Sequence, residues 1–392
     1  MTPSARAQAA IEILDEVIAS ARQDGPPADV IVTRYFKTRR YAGSKDRRSV
    51  RELVFRAIRR SGEVPPSGRS AMLGLADDDL ETAALFDGSP HGPAVRSSGE
   101  EGTSASLVPS WLQPGLSPHV AQGEWPALLE RAPIDLRVNV ARASRDEIVN
   151  QFEAAEPTRI SPWGLRLRSD TRVDDHPAFL QGLVEVQDEG SQLIALACDP
   201  QAAGNVLDLC AGAGGKALAL AAAAPHAHII ATDTNRARLA QLPPRSERAG
   251  ASIETRLLDG GREAEQLANL AGQCDVVLVD APCSGSGTWR RNPEGRWRLT
   301  QDRLDRLVKL QERLLDIAEP LVKPGGALVY ATCSIIRAEG ADQARNFLGR
   351  HSSWMVQDVP FDGGRADGPG RLLTPAHDST DGFFVARFAK PC

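Results

Sequence analysis

The sequence predicts an α/β protein. Its main part is a doubly wound, largely parallel sheet, preceded by a small α+β subdomain and an all-helical N-terminal region. Three observations carry this. From about Leu183 onward, short near-continuous apolar runs alternate with amphipathic stretches, the rhythm of successive βαβ units whose sheet is covered on both faces. Between Val108 and Phe179 the apolar period falls to two in short segments. Ahead of Ser61 the period is helical.

In the helical region Ala7, Ala10, Ile11, Leu14, Val17, Ile18 and Ala21 share one face, and Leu53, Val54, Ala57 and Ile58 form a second stripe. From Ser61 to about Thr103 the chain is rich in Gly, Pro, Ser and Asp and reads as loop, interrupted by a helical stretch at Asp79–Phe86. In the small subdomain, residues 135–140 and 164–168 alternate as strands. Ser144, with Glu147 at the capping-box position, starts a helix that runs to Phe152. In the main sheet the expected strands are 205–210, 229–233, 253–258, 275–280 and 327–332, with helices at 216–224, 236–249, 262–271, 302–321 and 338–350. The tail, 382–388, alternates as a further strand, expected antiparallel at the sheet edge. The predicted division is therefore a helical domain at 1–88, a linker at 89–106, an α+β (RRM-like) subdomain at 107–182 and the main domain at 183–392.

Bulk properties narrow the function classes. The 392 residues are 42% hydrophobic and 25% charged, as in ordinary globular proteins of two or three domains. No apolar run approaches the roughly 20 residues of a transmembrane helix, and no signal-peptide core follows the first residues. A cytoplasmic monomer without membrane or metal is expected. The six cysteines show no zinc-site spacing and are expected to be free thiols. Net charge is −5, yet Arg34–Arg60 holds eleven Lys/Arg against two acids, a net of +9 in 27 residues. A basic island on an acidic chain is the footprint of a polyanion site, with a solvated charged helix as the plainer alternative.

Four motifs carry chemistry. In the first, Val206–Lys216, an apolar strand enters a glycine-rich turn and a helix, which brings backbone N–H groups close to a ligand. A phosphate P-loop fails here, because Cys210 and Ala217 stand where Gly and Ser/Thr are needed. A dinucleotide turn is a tolerable match through Gly212 and Gly214, and an S-adenosylmethionine turn fits Asp208, Gly212 and Gly214. A purely structural glycine turn is the remaining alternative. The second motif ends in Asp233, 19 residues past Gly214, an acid at a strand end suited to a ribose diol. Asp259 closes the next strand and is placed for an adenine edge. The third is Asp280-Ala-Pro-Cys283-Ser-Gly-Ser-Gly287 and the fourth Thr332-Cys333-Ser334, each following a strand. Sequential parallel strands lie about 4.8 Å apart, so two thiols should meet at the carboxyl ends, where such sheets bind ligands. Buried structural cysteines would account for Cys198, Cys210 or Cys274, but not for this pairing. After them, Trp289–Arg298 supplies four arginines and two tryptophans. This suits a nucleic-acid clamp with base stacking, or a surface loop packed by its own tryptophans.

On these residues, with Val186–Leu193, Arg290-Arg291-Asn292-Pro293 and Asp381-Gly382-Phe383-Phe384, the chain resembles the Sun/Nop family of RNA cytosine-5 methyltransferases over roughly 107–388. The resemblance implies a Rossmann-like methyltransferase sheet, S-adenosylmethionine as cofactor and RNA, ribosomal RNA first of all, as partner. It implies Cys333 as the nucleophile that adds to cytosine carbon 6, and Cys283 as the cysteine that aids product release. Asp280 stands at the ring N3 side, and Cys210, Ala211, Gly212, Ala213, Gly214, Gly215, Lys216, Asp233, Asp259 and Asp280 form the cofactor set. The family usually has Pro at Ala213, a change in loop stiffness. The first 60 residues resemble a shortened NusB-like helical RNA-binding domain. Competing readings are a methyltransferase for exocyclic amines, a non-catalytic RNA-binding or assembly factor, and a nicotinamide oxidoreductase. The first would need an aromatic in the 280–283 loop, the second leaves the paired cysteines idle, and the third lacks a catalytic partner residue.

Overall fold

The computed structural model describes residues 1–168 and 171–392. The chain forms two compact units. One comprises Met1–Gly115, Trp125–Glu130 and Thr288–Gln301; the other comprises Leu116–Glu124, Arg131–Gly287 and Asp302–Cys392.

The first unit is helical: α1 (Pro3–Arg22), α2 (Ala28–Lys37), α3 (Ser44–Arg60), α4 (Gly68–Asp78) and α5 (Leu80–Ala83). Thr2 caps α1 by accepting from the Ala5 N–H, and the seven-residue apolar face read from the sequence is buried throughout. Each Leu, Ile or Val so placed contributes about 1.5–3 kcal/mol. Helix α4 replaces much of the expected loop. Its glycines hide it from pattern reading, but they serve close packing. A Cβ on Gly68 would lie 2.2 Å from the Ile11 carbonyl oxygen, and one on Gly74 2.4 Å from that of Thr103. The segment read as a linker is tied down, with Thr103 N–H donating to Ser70 and Ser106 N–H to Arg60.

In the second unit the small subdomain is an antiparallel sheet of order β2-β3-β1-β4, from β1 (Ile134–Val138), β2 (Glu156–Pro157), β3 (Gly164–Leu167) and β4 (Val184–Val186), with α6 (Arg145–Val149) and α7 (Pro177–Leu180). The Ser144/Glu147 capping box forms as predicted, though its helix is shorter.

Helix α8 (Glu189–Ala197) leads into the main domain. There follow β5 (Asn205–Asp208), α9 (Gly215–Ala223), β6 (His228–Asp233), α10 (Arg236–Leu239), α11 (Leu242–Ala249), β7 (Ile253–Leu257), α12 (Glu263–Gln266) and β8 (Cys274–Asp280). Then come α13 (Gly295–Arg298), which belongs to the first unit, and, back in the second, α14 (Gln301–Ala318), β9 (Val322–Thr332), α15 (Ala341–Arg350), β10 (Met355–Gln357), β11 (Arg365–Asp367), β12 (Gly370–Leu373), α16 (Pro375–Asp378) and β13 (Phe383–Ala389). The strand order is β11-β12-β13-β9-β8-β5-β6-β7, with β10 also on β13. Strands β5 to β9 are parallel, and the crossovers diverge between β5 and β8, the switch point at which such sheets open a ligand crevice.

Three expectations need correction. The single helix at 236–249 is two, because Pro243 and Pro244 lack an N–H and restrict the residues before them. The helix at 262–271 shrinks to α12 and a 3-10 turn. The last strand is antiparallel to β9 but interior, with β12 and β10 on its far side. Its almost continuous burial is the mark of a strand covered on both faces.

Candidate active site

The carboxyl ends of β5, β6, β8 and β9 surround the switch point. After β5 the chain turns through Gly212 (φ 56°) and Gly214 (φ 81°), both left-handed, and enters α9. Gly214 has two reasons to be glycine: its φ, and a Cβ position 2.2 Å from Leu242 Cδ1. The loop is pinned from outside. Asp233 Oδ2 accepts from the Gly212 N–H at 2.7 Å and Oδ1 from the Asn235 N–H at 2.6 Å. Arg245 donates to the Ala213 carbonyl, a tether on the middle of the loop. The Arg238 guanidinium covers Gly212. Neither arginine was legible as a loop anchor, since both belong to a helical run that reads as surface.

Asp208, at the end of β5, is 1% exposed; among the described residues its carboxylate makes no well-formed hydrogen bond, and the Cys210 N–H offers only a weak contact. Burial, then the charge of Asp280, pushes its pKa up to about 7. Such a weakly partnered, buried acid beneath a glycine cradle, with Asp233 at the next strand end, fits a cationic, diol-bearing ligand such as S-adenosylmethionine. Cys210 is held above the ordinary thiol range by burial and by Asp208, as suits an inert lining residue. Asp259 lies just past β7, exposed, exchanging hydrogen bonds with Gln266 at 2.7 and 3.0 Å. The Leu258 N–H donates to the Asp233 carbonyl, which puts Asp259 next to that strand end.

On the other side of the switch point, Asp280 pairs with Ala331 across β8 and β9. The loops that follow bring Cys283 Sγ and Cys333 Sγ to 3.3 Å, both half-buried and both free thiols. Lys216 Nζ, on the first turn of α9, donates to Asp280 Oδ2 at 2.6 Å. Burial would lower the Lys216 pKa, but Asp280, Cys333 and Asp208 together raise it, so it stays a cation. Cys283 is pushed well above the usual thiol range by its bond to Cys333, by burial and by the nearby charges of Cys333 and Glu339. Gly287 and Gly382 lie back to back beneath: a Cβ on Gly287 would sit 2.0 Å from the Gly382 oxygen, and the Gly287 N–H donates to the Cys333 carbonyl at 3.0 Å.

Glu339 was not anticipated. In the sequence it is one acid in Arg337-Ala338-Glu339, with nothing to separate it from a surface residue. In the fold it is fully buried and accepts from Ser284 and Ser334, the neighbours of the two cysteines.

The tryptophan–arginine segment is corrected. Trp289 and Arg296 are 1% exposed and Trp297 4%. Arg296 donates to the carbonyls of Pro293, Leu107 and Ile58, Trp297 Nε1 to Ser61, and Arg298 to Gly25 and Pro26. These rings are packed within the helical unit and cannot stack on bases; the packed-loop alternative holds. The Val186–Leu193 motif is also architectural. Glu189 accepts from the Ile160 and Ser161 N–H groups, and Gln192 donates to Leu136 and Gln187. Among the described residues no cluster of three or more His, Cys, Asp or Glu is arranged to hold a metal, and no helix is long and apolar enough to cross a membrane.

The glycine cradle, the strand-end acids and the switch-point sheet define an S-adenosylmethionine-dependent methyltransferase with a Rossmann-like sheet. Residues 195–389 match the family described as 16S rRNA methyltransferase RsmB/F. The chain is 37% identical over 298 residues to "Ribosomal RNA small subunit methyltransferase B" of Pectobacterium atrosepticum, covering 74% of this chain and 67% of that protein. The Enterobacter protein of the same name is also 37% identical, over 72% of this chain and 67% of its own length. The chain belongs to the RsmB/F family of 16S rRNA methyltransferases. Among solved structures, PH0851 aligns with a TM-score of 0.77 at 23% identity, over 98% of this chain and 99% of its own. A methyltransferase homolog protein from Pyrococcus horikoshii aligns at 0.60 and 26% identity, over 70% and 92%.

Proposed function

We propose that this enzyme methylates carbon 5 of a cytosine in ribosomal RNA through a covalent adduct of Cys333 to cytosine carbon 6, with Cys283 assisting release. The observation that carries the reading is the 3.3 Å pair of thiols beside the Lys216–Asp280 ion pair, at the mouth of the glycine cradle. Carbon 5 of cytosine is a weak nucleophile. Addition of the Cys333 thiolate to carbon 6 forms an S–C bond and moves the displaced pair toward carbon 5 and N3. The Lys216–Asp280 corner supports the N3 side and sets an ammonium near Cys333. S-adenosylmethionine, when bound, supplies an electrophilic methyl group. Its place is the cradle of Cys210, Ala211, Gly212, Ala213, Gly214, Gly215 and Lys216, with Asp233, Asp259 and Asp280 at the strand ends. For release, the carbon 5 proton passes to water, the double bond re-forms, and the S–C6 bond breaks with its electrons returning to Cys333. Cys283, which keeps its proton, donates a hydrogen bond to the departing sulfur.

The helical region, including the domain read at 1–88, is assigned to RNA binding through its basic island. Lys37, Arg40, Lys45 and Arg48 are exposed there. Arg34, Arg39, Arg56 and Arg60 are engaged with Glu16, Glu12, Asp79 and Asp78. The enzyme acts as a cytoplasmic monomer in this reading. Bisulfite sequencing of total RNA from cells with and without the gene tests it. One protected ribosomal cytosine that disappears on deletion is the expected result; an unchanged map of protected cytosines overturns it.

A further inference from the structure

We propose that Glu339 is the positioning residue of this site, stapling the loop of Cys283 to the turn of Cys333 and placing a negative charge on the Cys283 side of the pair. The inference rests on the two-thiol reading above and adds the group that keeps the thiols in register and makes them unequal.

The staple is complete on both sides. Glu339 Oε1 accepts from the Ser284 N–H at 2.8 Å and from Gln311 Nε2 at 3.0 Å. Oε2 accepts from Ser284 Oγ at 2.5 Å and Ser334 Oγ at 2.6 Å. Gln311 also donates to the Pro282 carbonyl at 2.9 Å, and Ser286 Oγ lies 3.0 Å from Ser334 Oγ. The residues on either side of Cys283 and the residue after Cys333 are therefore fixed by one carboxylate and its amide partner. The Glu339 backbone joins in, since its carbonyl accepts from Tyr330 Oη at 2.6 Å.

All four donors to the carboxylate are neutral. A fully buried carboxylate held by neutral donors alone is an expensive way to brace two loops, because the charge is stripped of water without a cation to offset the loss. A carboxylate accepts at both oxygens, where an amide would turn a donor toward two of these groups. The pair is electrostatically lopsided. Cys333 acts on the Lys216 cation, whereas Glu339 acts on Cys283 and, with burial and the bond to Cys333, disfavours its thiolate. The groups facing Cys283 are Cys333 at the end of β9, Glu339 before α15, the Tyr330 phenol and the Gly285 N–H. Removing the Glu339 charge should make the two sulfurs more alike.

The test uses the full chain with Glu339→Gln, which keeps the shape but loses the negative charge and one acceptor oxygen, and Glu339→Ala, which loses the side chain's contacts altogether. The first readout is methylation of ribosomal RNA. The Gln variant should lose about tenfold or more in kcat, with KM for RNA and binding of S-adenosylmethionine unchanged, and the Ala variant should lose more. The second is the pH profile of Cys283 alkylation by iodoacetamide, followed by peptide mass spectrometry in a Cys333→Ser background. Its midpoint should fall by about half a unit or more in Glu339→Gln. A Gln variant with wild-type kcat, or an unmoved alkylation midpoint, overturns the proposal. The alkylation does not depend on methyl transfer. Full activity of Cys333→Ala would defeat the two-thiol mechanism by itself, while the alkylation midpoint still reports on Glu339.

Discussion

A side chain's chemistry in this protein is set by what surrounds it more than by its type. Six cysteines are present, but among the described residues only Cys283 and Cys333 lie sulfur to sulfur beside charges of opposite sign. Cys333→Ala should abolish methyl transfer while S-adenosylmethionine still binds, measured by isothermal titration. Cys283→Ala should retain adduct formation but lose turnover, seen as an RNA-shifted band on a denaturing gel; a variant that turns over normally without the band would contradict the release role. Asp208 supports a prediction with a definite sign. Its folded pKa, about 7, lies above the ordinary 3.8, so the native state binds more protons, and Asp208 costs stability increasingly as pH rises from about 4 to 7. Asp208→Asn removes that cost. In urea melts without cofactor the variant should gain on the wild type between pH 5 and 8, by about 4 kcal/mol at most. A pH-independent difference would mean that the acid is solvated or paired.

At the scale of elements, the glycine cradle and the α13 segment show opposite degrees of legibility. The turn after β5 was readable because an apolar strand followed by Gly212 and Gly214 demands a left-handed bend, and both residues adopt it. Gly214→Ala should weaken S-adenosylmethionine binding by about tenfold or more, since the left-handed backbone alone costs about 1–2 kcal/mol and the new Cβ meets Leu242. Titration calorimetry checks this; unchanged affinity would show that the loop can refold around the methyl. The α13 segment misled because Trp and Arg have the same composition in an RNA clamp and in a buried plug. Periodicity over ten residues cannot reveal that Arg296 finds three main-chain carbonyls or that Trp297 joins the core of α1–α4. Trp297→Ala should cost about 3–5 kcal/mol, read as a lower denaturation midpoint with reduced amide protection in α1 and α3. A cost under about 1 kcal/mol would return the ring to the surface. Helix α4 was hidden likewise, by glycines that allow close approach where they would ordinarily signal a break.

For the whole molecule, net charge is a poor guide and its distribution a better one. The −5 chain carries its basic island on α2 and α3, but part of that island is spent on ion pairs with Glu12 and Glu16 of α1 and with Asp78 and Asp79 at the junction of α4 and α5. The charge left for a polyanion is smaller than the sequence count. Replacing Lys37, Arg40, Lys45 and Arg48 with Ala should weaken RNA binding and flatten its salt dependence, by about 0.7–0.9 in the log–log slope for each phosphate no longer neutralised. Replacing the engaged Arg56 and Arg60 should lower stability more than it changes that slope. Fluorescence anisotropy across a salt series decides, and an unaltered slope in the fourfold variant would make the island a solvated face.

By itself the sequence determined the sheet, the glycine cradle and the meeting of two thiols. Each is a local matter: strand periodicity, turn stereochemistry, and the rule that sequential parallel strands lie side by side. Only the tertiary structure decided what depends on partners far apart in the chain. It made Glu339 a buried clamp, turned Trp297 inward, set Arg245 on the cradle and placed the last strand inside the sheet. Burial and hydrogen bonding belong to pairs of residues, and the partner of a side chain, about 50 or 200 positions away, leaves no mark on its own neighbourhood.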